Sequence, residues 1–403
     1  MENSGYLVRG PLALVLQISR FQGVAPLRLE PRSNGYYAQN SSFMALYSRL
    51  LLIILSKYKF TRIITKDFII ADILTFIGLI LDVFLIGIKK AIRVNTLSSL
   101  VIWLVDVASI LIITGVGVFQ GEDRMTRIMT HLKNIDKVLT KSFKIKGLPK
   151  ESNRSLSFVC IVIAMHILMF VDFGYYVMKA ITREKGMLVV FIYGCQYFKY
   201  SMSLYLHLQI TIIILMAKSS LKTLNDRLRE LLQVLDYKSL REIGDCYVTI
   251  VNIIKDINEE NGVLLIAMYI SFITYLVVSN YYLIAAVCSP VGLMRNFNIV
   301  LQFIWCIYHS AKILLLIEPC HRTHEEIEET KVLASQLTYR MTPPGEPVPV
   351  ELVTFHKQLI LYSPSYSPLN ICTLNRSQIA GIIAGVTTYL VIIVQQRLIE
   401  ECT

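Results

Sequence analysis

The sequence predicts an all-α polytopic membrane protein with seven transmembrane helices, and three observations predict it. The first is composition: 54% of 403 residues are hydrophobic and 17% charged, with a mean hydropathy of +0.54, where soluble chains carry about 25% charged residues. The second is the presence of seven apolar runs, near 67–88, 95–119, 155–178, 187–216, 262–287, 297–317 and 378–397. Each approaches the roughly 20 residues that cross a roughly 30 Å hydrocarbon layer as a helix. The third is economy, because the segments between the runs are too short for a separate soluble domain.

Charge orients the spans. Residues 120–154 hold nine Lys or Arg and 218–261 hold seven, whereas 179–186 hold three and 288–296 one. The excess of Lys and Arg on cytoplasmic loops places the two rich loops and 318–376 inside. Seven spans then put the N-terminus inside and the C-terminus outside. The net charge of +11 is accounted for by these loops, and with no basic-aromatic patch a nucleic-acid partner is not expected. No signal peptide is expected either, since the chain opens with Glu2, Asn3 and Ser4 and its first apolar stretch, 11–16, is followed by Arg20. One alternative stays open at the start: "FMALYSRLLLIILSKYKF" (43–60) is either an interfacial helix ahead of the first span or the first span itself. Eight scattered cysteines, with Cys160, Cys195 and Cys306 inside apolar runs, suggest no disulfide framework.

The charged segments keep helical periodicity. In "SSLKTLNDRLRELLQVL", Leu221, Leu224, Leu228, Leu231 and Leu232 recur at three- and four-residue spacing, the pattern of a helix seeking a partner. "EEIEETKVLASQL" opens on Glu325, Glu328 and Glu329, which suits a helix N-terminus. The proline-rich "MTPPGEPVPVE" then forms a linker before a helix at about 350–362. Three regions follow: 1–317 with the N-terminal segment and the first six spans, 318–376 with anchor helices and linker, and 377–403 with the last helix.

On that last helix Gly381, Gly385, Thr388, Ile392 and Gln395 fall along one stripe at 100° per residue. The glycine pair lets helices approach closely, and Gln395 cannot cheaply face hydrocarbon, where an unpaired amide costs several kcal/mol. The stripe therefore meets either water or another helix. "TTYLVIIVQQ" resembles the signature of the insect gustatory receptor family, Thr-Tyr, five hydrophobics and Gln-Phe, with Thr388, Tyr389, Leu390 to Val394 and Gln395 in place. Gln396 departs from it, standing where the family has Phe. The upstream "TFHKQLILYSPSYSPLNICTLNRSQIAGIIAG" is similar to the family's cytoplasmic helix and approach to the seventh span. "PLRLEPRSNGYYAQNSSFMALYSRLLLI" is similar to its N-terminal approach, which makes 43–60 a candidate first span. The resemblance implies a tetrameric, ligand-gated, non-selective cation channel in the plasma membrane of sensory neurons, gated by a small-molecule tastant, a sugar or a bitter compound. It implies that Thr388, Ile392, Gln395 and Gln396 belong to the pore and gate, and that Gly381, Gly385 and Tyr389 pack the pore helix.

Under this topology the outer half of the bundle gathers polar and aromatic side chains suited to a small organic ligand. Tyr193, Gln196, Tyr197 and Tyr200 share one helix face at i, i+3, i+4 and i+7. Neighbouring runs add Trp103 and Asp106, Asp172 and Tyr176, Asn280 and Tyr281, and Gln302 and Trp305. Acids at membrane depth are costly, which gives Asp106 and Asp172 a paired or functional role by default; His166, six residues from Asp172, could partner it only with help. Tyr281, Tyr282 and Tyr175 equally suit an aromatic belt at the membrane boundary. "CHRTH" (320–324) lacks a second ligand pair for a metal. No GxSxG, HExxH or phosphate loop occurs, so neither enzyme, cofactor nor metal is expected. A G-protein-coupled receptor lacks support, because neither an Asp/Glu-Arg-Tyr sequence after the third run nor an NPxxY in the seventh is present. A transporter calls for broken helices in related halves, which are not found.

Overall fold

The computed structural model describes residues 6–8, 10–22, 24–32, 35–41, 43–48, 121–143, 152–182, 187–233, 237–288, 293–342, 347–362 and 364–402. Trp103, Asp106 and the runs 67–88 and 95–119 lie outside the described residues. The elements are β1 (Tyr6–Val8), α1 (Gly10–Phe21), β2 (Leu27–Arg32), β3 (Gly35–Asn40), α2 (Gly121–Phe143), α3 (Ser152–Thr182), α4 (Met187–Leu231), α5 (Tyr237–Cys288), α6 (Leu293–Met341), α7 (Val350–Leu361), a 3-10 turn (Pro368–Asn370) and α8 (Ser377–Cys402). Residues 43–48 are helical. The runs 155–178, 187–216, 262–287, 297–317 and 378–397 each fall within one helix, and the helix expected at about 350–362 is α7.

Helices α4, α5 and α6 have 45, 52 and 49 residues, so they are about 68 to 78 Å long at 1.5 Å per residue. A hydrocarbon layer of about 30 Å uses less than half of that. Among the described residues these three are long and apolar enough to cross a membrane, with shorter apolar stretches at Val162–Met178 in α3 and Ser377–Ile392 in α8. Their remainders continue without a break into the charged segments, so the leucines of 221–232 extend α4. Leu221, Leu224 and Leu228 are fully buried there.

A polar lock joins the extended ends of α4 and α6. The Asn225 amide donates to the Glu326 carbonyl (2.9 Å) and carboxylate (3.0 Å), and the Thr330 hydroxyl donates to the Asn225 side-chain oxygen at 2.7 Å. Arg229 pairs with Glu329 beside it. Helix α7 lies against this end, with Leu352, Phe355 and Leu359 buried, each contributing about 1.5–3 kcal/mol by leaving water. The Tyr247 hydroxyl closes the contact by donating to the Tyr362 carbonyl at 2.8 Å.

Pro319 sits inside α6. Lacking an N–H, it leaves the Leu315 carbonyl without its usual helical donor. The Thr211 hydroxyl of α4 approaches that carbonyl at 3.5 Å, and the Thr323 hydroxyl donates to the Pro319 carbonyl at 2.7 Å.

The composition did not anticipate a sheet. β1, β3 and β2 form an antiparallel three-stranded sheet in that order, with Arg32 paired to Gly35. Gly35 adopts φ 144°, a region only glycine enters cheaply. The sheet buries Val8, Leu27 and Ala38, while α1 buries Leu12, Val15 and Leu16 and packs on α3 and α4. Two bonds fix α1 to α4: the Gln209 amide donates to the Ser19 hydroxyl at 2.9 Å, and the Gln22 amide to the Ser201 hydroxyl at 2.5 Å.

The approach to α8 is a tight turn. Leu369 and Asn370 take φ of 51° and 56°, the left-handed region that non-glycine residues seldom occupy. The turn packs on α5 at Gly262, where an added Cβ would lie 3.0 Å from Leu369 Cδ2 and 3.2 Å from its backbone nitrogen. Arg376 then clasps Glu318 of α6, through Nε at 3.0 Å and a terminal nitrogen at 2.7 Å. Glu318 lies just past the apolar stretch of α6, and the Arg376 guanidinium, with that of Arg322, holds its carboxyl down to about 2. The pair is therefore intact above the ordinary carboxylate range and is lost only as pH falls towards 2.

A Gly262→Ala substitution gains helix propensity of about 1 kcal/mol yet overpacks the turn, a cost of about 1–3 kcal/mol. The left-handed pair cannot retreat easily, so a lower thermal unfolding midpoint in detergent is the expected result.

Candidate functional site

The site is built around Asp172. It projects from α3 into the bundle, is 4% exposed, and receives hydrogen bonds on Oδ2 from the Tyr197 hydroxyl of α4 and the Trp305 indole N–H of α6, the latter at 2.9 Å. Three helices thus converge on one carboxylate oxygen, and Oδ1 has no partner among the described residues. Each bond to a charged acceptor contributes about 1.5–3 kcal/mol, and removing the acceptor would strand two buried donors.

Aromatic rings surround this carboxylate. Tyr197 meets Phe173 and Tyr200 edge to face, with centroids 5.7 and 6.2 Å apart. Tyr200 reaches Tyr275 of α5 at 5.2 Å and Trp305 at 6.3 Å. His309, one turn beyond Trp305, stacks on it at 5.4 Å and on Tyr275 at 5.3 Å. Tyr176 packs against Tyr175, which meets Phe297 at the start of α6. Gln302 is buried one turn before Trp305 on the same face.

Of the expected ligand residues the structure brings together Asp172, Tyr176, Tyr197, Tyr200, Gln302 and Trp305. Tyr193 and Gln196 are on α4, one turn before Tyr197 and Tyr200, but their side chains lie outside the described residues. Asn280 and Tyr281 are not drawn in: the Asn280 amide donates to the Leu276 carbonyl of its own helix at 2.7 Å, and Tyr281 packs on Tyr282. His166 does not meet Asp172 but faces Ser201 at 3.2 Å and Tyr205 at 3.3 Å; six residues of helix turn it to another side. Tyr275 and His309 complete the ring cluster without having been anticipated. His309 carried a usable signal, standing four residues after Trp305.

Helix α8 presents a second feature. It packs on α5 through buried Ile382 and Val386 and half-buried Tyr389, and the Tyr269 hydroxyl donates to the Gln378 side-chain oxygen at 3.4 Å. Gly381, Gly385, Thr388, Ile392 and Gln395 all lie on the exposed side of the protomer. Nothing comes within 4 Å of a Cβ built on Gly381 or Gly385, so no described residue of the chain packs there. The Thr388 hydroxyl donates back to the Ala384 carbonyl at 2.9 Å. The Gln396 side chain lies outside the described residues.

The chain is similar to known proteins in sequence and in fold. The chain is 24% identical over 157 residues to the "Gustatory receptor for sugar taste 43a" of Drosophila melanogaster, a match covering 39% of this chain and 35% of that one. Its fold is similar to the insect olfactory receptor OR5 from Machilis hrabei in complex with eugenol, with a TM-score of 0.67, 14% identity, and coverage of 95% of this chain and 97% of that one. A second structure of that receptor gives a TM-score of 0.60 at 13% identity, covering 95% of this chain and 96% of that one. The family model described as "7tm Chemosensory receptor" matches residues 12–400. The chain belongs to the 7tm chemosensory receptor family.

Proposed function

We propose that the protein is a gustatory receptor subunit that forms a tastant-gated, non-selective cation channel, a homotetramer whose central pore is lined by α8. The observation that carries this reading is the α8 stripe. A helix in lipid should bury small and amide-bearing residues, yet Gly381, Gly385, Thr388 and Gln395 are exposed in the protomer. Four copies around an axis would give that face a partner and water at once, with the Gln395 amides offering partial dehydration to passing cations. Ile392 and Gln396 would complete the constriction, Gln396 making it more polar than a Phe.

The ligand region in this reading is the Asp172 cluster, in the outer half of the bundle, with the N-terminus and residues 318–376 cytoplasmic and the C-terminus outside. Trp305, Tyr197 and Tyr200 offer apolar faces, and Asp172 Oδ1 and the Gln302 amide supply the few polar contacts that orient a small ligand. Among tastants a sugar suits it better than an apolar bitter compound, because a sugar hydroxyl would satisfy the unpartnered carboxylate oxygen. The name of the fly relative points the same way. Tyr193, Gln196, Trp103 and Asp106 are proposed as further lining residues on the sequence pattern alone.

Expressed in a cell line, the wild-type chain is expected to pass cation current when challenged with one of a panel of sugars. Asp172→Asn should shift the concentration–response curve at least about tenfold, the loss of one charged hydrogen bond of about 1.5–3 kcal/mol. An unchanged curve would remove Asp172 from the ligand site. Gln395→Ala and Gln395→Glu should alter permeability or gating, and identical currents in both would take Gln395 out of the pore. A C-terminal epitope tag should stain on unpermeabilised cells; staining that appears only after permeabilisation would overturn the proposed orientation.

A further inference from the structure

The polar column continues along α6 past the aromatic cluster. Three residues after His309, Lys312 is 1% exposed. Its Nζ lies 4.7 Å from the Tyr308 ring centroid and 5.1 Å from that of Phe272. Phe272 touches His207 of α4 on another side, with centroids 5.0 Å apart, and Tyr308 touches His309, also at 5.0 Å. Two shared rings thus tie Lys312, His207 and His309 into one cluster between α4, α5 and α6.

Among the described residues no carboxylate pairs with Lys312. Other polar atoms of the cluster are buried without hydrogen-bond partners among the described residues: both ring nitrogens of His207, Nδ1 of His309 and the Tyr308 hydroxyl. The inventory is lopsided. An ammonium carries three donors, the hydroxyl one and each neutral imidazole one, while the acceptors are only ring nitrogens and the hydroxyl oxygen. Aromatic faces offset part of the cost of a buried ammonium, but they satisfy none of its N–H groups as a charged acceptor would. Among the described residues, the group this cluster lacks is a negative charge able to accept several hydrogen bonds.

We propose that Lys312, with Tyr308, His207 and His309, forms a binding site for a small monovalent anion within the helical bundle. It adjoins the Asp172 cluster through His309, which stacks on Trp305, while seven residues of α6 place Lys312 itself about 10 Å along the axis from Trp305. A halide from solution and the carboxylate of a small acid share the required chemistry. The rival occupant is an acid of this chain, Asp106, outside the described residues.

The test is thermal unfolding of the full chain in detergent at fixed pH and ionic strength, in the potassium salts of chloride, acetate and the bulky sulfonate MES. Binding to the folded state raises the midpoint with anion concentration. A saturable rise in chloride or acetate over the sulfonate is expected, chloride alone marking a halide and acetate alone a carboxylate. Lys312→Met should abolish the rise without lowering the midpoint in sulfonate, since methionine fills the volume and needs no counter-charge. Equal wild-type midpoints in all three salts, the signature of an internal acid such as Asp106, would overturn the proposal, as would an undiminished rise in Lys312→Met. Should that variant not fold, the shape-preserving Tyr308→Phe decides. It should raise the half-maximal anion concentration severalfold, and an unchanged value overturns the site.

Discussion

A carboxylate buried in a bundle of apolar helices must be hydrogen-bonded, and Asp172 satisfies that requirement through two different helices at once. An ionised acid left alone at membrane depth is expensive on every scale. Keeping it there fixes the rotation of α4 and α6 together. A one-residue slip, 100° of turn, would carry Tyr197 or Trp305 off the same oxygen. Once Trp305 is pinned, His309 and Lys312 follow at i+4 and i+7, and α6 has no choice but to present its whole polar column inward.

The far ends of these helices are held by different chemistry. Asn225, Glu326 and Thr330 form a partly buried network whose geometry is exact in hydrogen-bond terms, 2.7 to 3.0 Å, whereas exposed pairs such as Arg227 with Glu230 contribute about 0–1 kcal/mol. Helices α4 and α6 are thus matched twice, at the Asp172 cluster and about 25 residues away along each. Two fixed points set both the register and the rotation of a helix pair. The Arg376 clasp adds α8 to the same frame.

Much of this was legible in the chain. The Tyr197 and Tyr200 spacing put both on one face, and an acid at 172 amid apolar residues demanded a partner. The partner's identity was not legible, because pairing between α3 and α6 joins residues 133 positions apart and no periodicity records it. His166, too far along the helix to reach Asp172 unaided, faces Ser201 instead. Asn280 misled, since an amide in an apolar run can spend its hydrogen bonds on its own backbone. The sheet of 6–40 went unseen because its strands are at most six residues long, and their pairing depends on a turn that hydropathy does not detect. The exposed α8 stripe, by contrast, followed directly from 100° per residue. What meets that stripe is a property of the assembly and not of one protomer.

Pro319 gives α6 a property that its unbroken helical course conceals. The missing rung at Leu315 is met by the Thr211 hydroxyl of α4 at 3.5 Å, so α6 holds one helical hydrogen bond fewer there while its neighbouring bonds remain. Glu318, the acid that Arg376 clasps, is the residue just before that proline. A change of helix direction at this point would therefore reach α8 through the clasp.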